Sequence, residues 1–114
     1  MQSRLLVAVV LSSASFAWFG LGCFLSRRVM AEFARYGIAR LRRPVGALQI
    51  AASLALAAGA IDARFRPLLI AAAAGLAAMM CVALLVRRRI RDPWATTLPA
   101  IGFLCLNLYI AASA

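Results

Sequence analysis

The chain has no histidine, no lysine and only three acidic residues, Glu32, Asp62 and Asp92, in 114 positions. Without histidine, neither imidazole ligation of haem nor histidine general-base catalysis is open to it. The three acids fall between long apolar blocks and never within one. Cys23, Cys81 and Cys105 lie in separate blocks and form no C-x-x-C pair, so neither zinc nor thioredoxin-like spacing exists. A cysteine in such a place reads as a small hydrophobe. No glycine-rich phosphate cradle is present. The residues point to no catalytic group, metal ligand or cofactor, and the reading leans away from an enzyme.

What is there is apolar. Hydrophobic residues make up 66% and charged residues 14% of the chain, and the mean hydropathy is +0.95. A soluble domain carries about half apolar and about a quarter charged residues. The charges cut the sequence into four apolar blocks, residues 5–26, 44–61, 67–86 and 93–114. A helix crossing a bilayer needs roughly 20 apolar residues, and all four blocks fit, the second most narrowly. Open sheets leave unpaired edges in lipid, and the blocks lack the alternation of barrel strands. Pro44, Pro67 and Pro93 each open a block, where a missing N–H costs nothing, and Asp92 suits an N-cap. The expectation is an all-α, integral membrane four-helix bundle forming one transmembrane domain.

All thirteen basic residues are arginines. The loops 27–43 and 87–92 share one side of a four-span chain. They carry Arg27, Arg28, Arg35, Arg40, Arg42, Arg43, Arg87, Arg88, Arg89 and Arg91, against Arg4, Arg64 and Arg66 on the other side. Short arginine-rich loops stay in the cytoplasm, so both termini are expected outside. Arginines flanking spans account for the net charge of +10 without nucleic acid. The expected partners are anionic lipid headgroups on the cytoplasmic side and a protein in a membrane complex. The first block resembles a signal peptide in its small residues 12–17. It runs on through Phe16, Trp18, Phe19 and Phe24 to Arg27 and Arg28, which predicts an uncleaved span. In the loop 27–43, Met30, Phe33, Gly37 and Leu41 fall on one helical face and Arg28, Glu32, Arg35 and Arg42 on another. That pattern predicts an interfacial amphipathic helix between the first two spans, weakened or broken at Gly37.

Few polar residues sit inside the blocks. At about 1.5 Å per residue, Gln49 lies roughly 7 Å inside the cytoplasmic edge, level with Trp18, Gly20, Met80, Cys81 and Thr97. Asn107 lies deeper, level with Ser12 and Ser13. Such groups normally face the bundle interior. Gln49, Trp18, Cys81, Thr97, Asn107, Ser12 and Ser13 are therefore the candidate intramembrane polar site, and interhelical fastening is the plainer role for each. The first and fourth spans are expected to be neighbours joined at Asn107. Gln49 is expected to face the first span near Trp18 or Gly20, or Thr97. The ladder Ala47, Ala51, Ala55 and Gly59, with Ala71 and Gly75, predicts a close seam between the second and third spans.

Two stretches carry a resemblance: "FARYGIARLRRPVGALQIAASLALAAG" (33–59) and "LLVRRRIRDPWATTLPAIGFL" (84–104). With Phe16 and Gly20 in the first span, Phe33, Arg35, Gly37 and Ile38 in the loop, Gly46–Ile50, Arg89–Pro93 and Leu98–Ala100, the chain resembles the DoxX-like family of small bacterial membrane proteins along nearly its whole length. The resemblance implies a compact four-helix protein of the bacterial inner membrane. Many members have glutamate where this chain has Gln49, and an amide cannot ionise. The family name comes from a subunit of an archaeal thiosulfate:quinone oxidoreductase, which implies a link of some members to membrane redox complexes. Two readings follow: a non-catalytic accessory or scaffold subunit, and a membrane subunit of a quinone-linked oxidoreductase with an isoprenoid ring near Gln49, Trp18 and Cys81. A small transporter is a third. Proton-coupled multidrug exchangers depend on a glutamate in the first span, and here that span has no acid.

Overall fold

Ser26 closes one helix and opens the next. In extended backbone its N–H donates to the Gly22 carbonyl (2.8 Å), and its Oγ accepts from the Val29 N–H (3.3 Å). A serine hydroxyl there satisfies a donor that a helix start leaves unpaired. The helix before it, α1 (Ser3–Leu25), and the helix after it, α2 (Arg27–Arg35), belong to a computed structural model that describes residues 2–91 and 94–114. Three long helices follow: α3 (Arg42–Ile61), α4 (Arg66–Arg89) and α5 (Trp94–Ser113). Single 3-10 turns, Ala39–Leu41 and Ala63–Phe65, lead into α3 and α4. The protein is an all-α helical bundle, measuring 40 × 25 × 17 Å.

Each boundary has a local cause. Gly37, at φ 76°, ends α2: its N–H donates to the Ala34 carbonyl (3.1 Å), and the Ile38 N–H reaches back to Phe33 (3.0 Å). That paired closure needs a left-handed residue, which glycine adopts without steric cost. Pro44 and Pro67 lie in the first turns of α3 and α4, where no intrahelical N–H is missed. Between them, the Asp62 carboxylate accepts from the Arg64 N–H (3.0 Å) and pairs with its guanidinium (2.8 Å). Arg91 turns the chain out of α4 at φ 57°. The N-cap expected at Asp92 and the opening expected at Pro93 lie outside the described residues. Pro99 sits inside α5 and removes one helical hydrogen bond.

The long helices pack α1 on α3, α3 on α4, α4 on α5 and α1 on α5. α1 and α3 run antiparallel: Ser13 meets Ser53, and further along Gly20 meets Gly46 and Ile50. α1 and α5 are antiparallel too, with Ser12 on Asn107 and Phe16 on Phe103. Val9, Phe16, Leu56, Leu69, Ala73, Leu76 and Ile110 fill the centre. Trp18, Leu25 and Ile61 stand 75%, 77% and 87% exposed while Ser12 and Asn107 are fully buried. Apolar outside with polar groups inside is what lipid selects and water does not. Three stretches, Ser3–Leu25, Ala39–Ile61 and Ala63–Arg89, are long and apolar enough to cross a membrane. In α5 the described apolar stretch is Thr97–Ser113.

The alanine ladder is not the helix seam. Ala47, Ala51, Ala71 and Gly75 are exposed, and a Cβ added at Gly75 would meet nothing within 4 Å. Gly59, at the end of the ladder, does lie at a close crossing, against Leu69 of α4. The reason lies on the other face of α3. Gly46, Gln49, Ser53 and Leu56 form the buried stripe, because an amide and a hydroxyl facing hydrocarbon would be left unpaired. Alanine loses nothing by facing lipid, so Ala47 and Ala51 turn outward, while Ala55 is half-buried and Gly59 is buried against α4.

Candidate functional site

The interior polar groups form two layers. In one, Ser12 Oγ donates to Asn107 Oδ1 (2.7 Å), and Asn107 Nδ2 donates to the Phe103 carbonyl (2.8 Å). Beside them Ser13 Oγ donates to the Ser53 carbonyl (2.8 Å) and Ser53 Oγ to the Ile50 carbonyl (2.7 Å). Asn107 thus meets Ser12, as their common level along the axis predicts, while Ser13 at the same level bonds α3. Rings of Phe16, Phe19 and Phe103 stack edge to face next to this layer, with centroids 5.4 to 5.8 Å apart.

The second layer contains Gln49. Its Oε1 accepts from Cys23 Sγ at 3.6 Å, across the α1–α3 crossing. One turn further out, the Arg42 guanidinium donates to the Cys23 carbonyl at the end of α1. The last carbonyls of a helix lack intrahelical donors and carry the negative end of its dipole, so an arginine there is favourable. The crossing is close because Gly20 and Gly46 face each other. A Cβ on Gly20 would lie 3.0 Å from the Gly46 carbonyl oxygen, and one on Gly46 would lie 3.1 Å from that of Gly20.

Gln49 therefore turns to the first span as expected, but its partner is Cys23 and not Trp18 or Thr97. Trp18 is 75% exposed and Cys81 is exposed, so neither joins Gln49. Level and azimuth are separate quantities. Phe16, Gly20 and Cys23 repeat at helical spacing and point inward, which turns Trp18 outward. On α4 the inward stripe is Leu69, Ala73, Leu76, Ala77 and Met80, which leaves Cys81 outside. Thr97 is half-buried. The signal that could have found Cys23 was its i, i+4, i+7 relation to Phe16 and Gly20.

The charged end has its own contacts. Arg35 pairs with Glu32 (2.8 Å), donates to the Tyr36 hydroxyl (3.3 Å) and lies 4.8 Å over the Tyr36 ring. The Arg87 guanidinium, from the end of α4, lies 5.5 Å from the same ring. The first and second arginine-rich loops thus meet at one end of the bundle. Hydrogen bonds from Arg35 and Tyr36 hold the Glu32 carboxyl below its usual range, with the charges of Arg35 and Arg87 adding to this. At the opposite end, the Arg64 side chain and N–H lower the Asp62 carboxyl. Of the headgroup candidates, Arg27, Arg28, Arg35, Arg43, Arg88, Arg89 and Arg91 are exposed. Arg42 and Arg87 are half-buried, because one reaches the Cys23 carbonyl and the other the Tyr36 ring. Among the described residues, no three His, Cys, Asp or Glu side chains gather where they could hold a metal ion.

No curated protein and no solved structure was found to match the chain. The sequence model of the DoxX-like family matches residues 3–110, nearly the whole chain. Residues that carry the resemblance have structural places here: Phe16 and Gly20 on the inward face of α1, Gly37 at the α2 terminus, and Gly46 on the buried stripe of α3. The chain belongs to the DoxX-like family.

Proposed function

We propose that this protein is a non-catalytic scaffold of the bacterial inner membrane that crosses the bilayer four times. Its basic end faces the cytoplasm and both termini face outward. The observation that carries the reading is the closed bonding of Asn107, whose Oδ1 accepts from Ser12 of α1 and whose Nδ2 donates to the Phe103 carbonyl, with Gln49 adding a cross-helix contact through its Oε1 to Cys23. A fastener spends its hydrogen-bonding capacity on its own bundle, whereas a binding residue keeps it for a ligand. The fourth crossing is supported by α5, 20 residues long, which sets Phe103 and Asn107 against α1. The orientation is supported by the meeting of both arginine-rich loops at Tyr36.

The test uses Gln49→Leu in the full chain. As a fastener, Gln49 contributes about 0.6 kcal/mol and at most about 2, so thermal stability in detergent drops modestly. Recovery of partners by pull-down from native membranes stays the same. Unchanged melting together with loss of a bound quinone, or of a redox enzyme recovered at fixed stoichiometry with the native chain, would replace this reading with that of a quinone-linked subunit.

A further inference from the structure

The short helix α2 is tied at both ends. At its start, Val29 lies over Gly22 of α1, its Cγ2 3.4 Å from where a glycine Cβ would be. Past its far end, Tyr36 lies between Arg35 and Arg87, and Arg87 belongs to α4. α1 and α4 each pack on α3 and on α5, so they occupy opposite corners of the bundle. The nine residues of α2 cover about 13 Å at the helical rise. α2 therefore runs over the basic end from one corner towards the opposite one.

This path sets the charges of two separate loops side by side. Arg27, Arg28 and Arg35 are exposed on α2, with Ala31 and Ala34 between them, and Arg88 and Arg89 are exposed at the end of α4. Glu32, the one described acid in this region, is held by Arg35. Leu25 and Leu41 flank the arginines at 77% and 40% exposure. We propose that α2 is a strap that assembles the arginines of both loops into one binding surface for anionic phospholipid headgroups, with Tyr36 as the residue that positions it.

Charge and exposed leucine side by side match the boundary of a bilayer, where acyl chains meet phosphate, better than they match an acidic protein. Arg27 and Arg28 also occupy the first turn of α2, where the helix dipole disfavours cations. A phosphate over that turn relieves the repulsion. The inference rests on the proposed placement of the basic end at a membrane face.

The experiment compares thermal unfolding of the full chain in nanodiscs of phosphatidylcholine alone and of phosphatidylcholine with phosphatidylglycerol. The native chain melts higher with phosphatidylglycerol, and the difference shrinks in high salt. Tyr36→Ala loses both cation–π contacts and with them the hold on α2 from Arg87 of α4. Tyr36→Ala therefore melts lower in phosphatidylcholine and, beyond that drop, loses most of the phosphatidylglycerol shift. Tyr36→Phe keeps the ring and keeps the shift. Arg87→Gln, which leaves the ring in place, behaves like Tyr36→Ala and serves if that variant does not fold. An equal drop for Tyr36→Ala in both lipids means a merely structural tyrosine and overturns the proposal. So does a native chain indifferent to phosphatidylglycerol, or one stabilised by polyglutamate and not by lipid. Release of the chain from native membranes by alkaline carbonate is a separate outcome that sinks the membrane scaffold itself.

Discussion

Gly20 and Gly46 stand opposite each other where α1 crosses α3, each with the other's carbonyl oxygen in the place a side chain would need. A Cβ at Gly46 would also meet Cys23 Cβ at 2.6 Å, and one at Gly20 would meet Ile50 Cγ1 at 2.6 Å. The Phe24 ring edge, 2.9 Å from a Cβ at Gly46, can swing aside, but the Cys23 Cβ and the Gly20 carbonyl are fixed to the backbone of α1, so the helices themselves must separate. Gly46→Ala is expected to cost about 1–3 kcal/mol, in the range of an overpacked core. Gly75→Ala, in open space on α4, is expected to gain up to about 1 kcal/mol from helix propensity. Melting of both variants in detergent checks the pair. Equal effects would mean that the crossing is not where the bundle is tightest.

Ser12 and Asn107 couple α1 to α5. Ser12→Ala, Asn107→Ala and the double variant form a thermodynamic cycle whose coupling is expected at about 0.6 kcal/mol and no more than about 2. Strictly additive losses would show that the 2.7 Å bond adds nothing to stability in the membrane-mimetic state.

Orientation has a direct readout. A C-terminal alkaline phosphatase fusion is expected to be active and a C-terminal fluorescent-protein fusion dark. The reverse pair would put the arginine-rich end outside, against the positive-inside rule.

Acid should loosen α2. The Glu32 carboxyl is held low, chiefly by the hydrogen bond from Arg35. A depressed carboxyl contributes stability that is complete above its unfolded value and is lost as pH falls through the folded one. Amide exchange of α2, corrected for intrinsic rate, should therefore quicken below the ordinary glutamate range, about pH 4.3. Glu32→Gln should abolish that acid dependence. A change of equal size in the variant would assign it to another group.

Axial position was legible in this sequence and rotation about each axis was not. Charges bound the apolar blocks, and counting residues at helical rise puts Asn107 at the level of Ser12. Trp18 and Cys81 sit at the level of Gln49 yet face outward, because azimuth depends on which neighbours a helix packs against. The ladder from Ala47 to Gly59 was ambiguous for a related reason: alanine suits a seam and suits lipid equally. The glycines that make the close crossing, Gly20 and Gly46, have no regular spacing within either helix that marks them as partners. Tyr36 carried no signal at all, since its second cation comes from a loop about fifty residues further along. In contrast, Gly37 after an amphipathic run announced the end of α2, a local event with a local cause.

The bond between Ser12 and Asn107 also imposes an order of assembly. α1 is synthesised first and α5 last, and the packings of α1 on α3 and α3 on α4 can form as each helix emerges. The contact between the first helix and the last must wait until 95 further residues have been made. Until then the Ser12 hydroxyl and the Phe16 ring have no α5 to meet and stand uncovered on the open side of the partly built bundle. A chain halted before α5 keeps both uncovered, so the last helix completes the packing of the first.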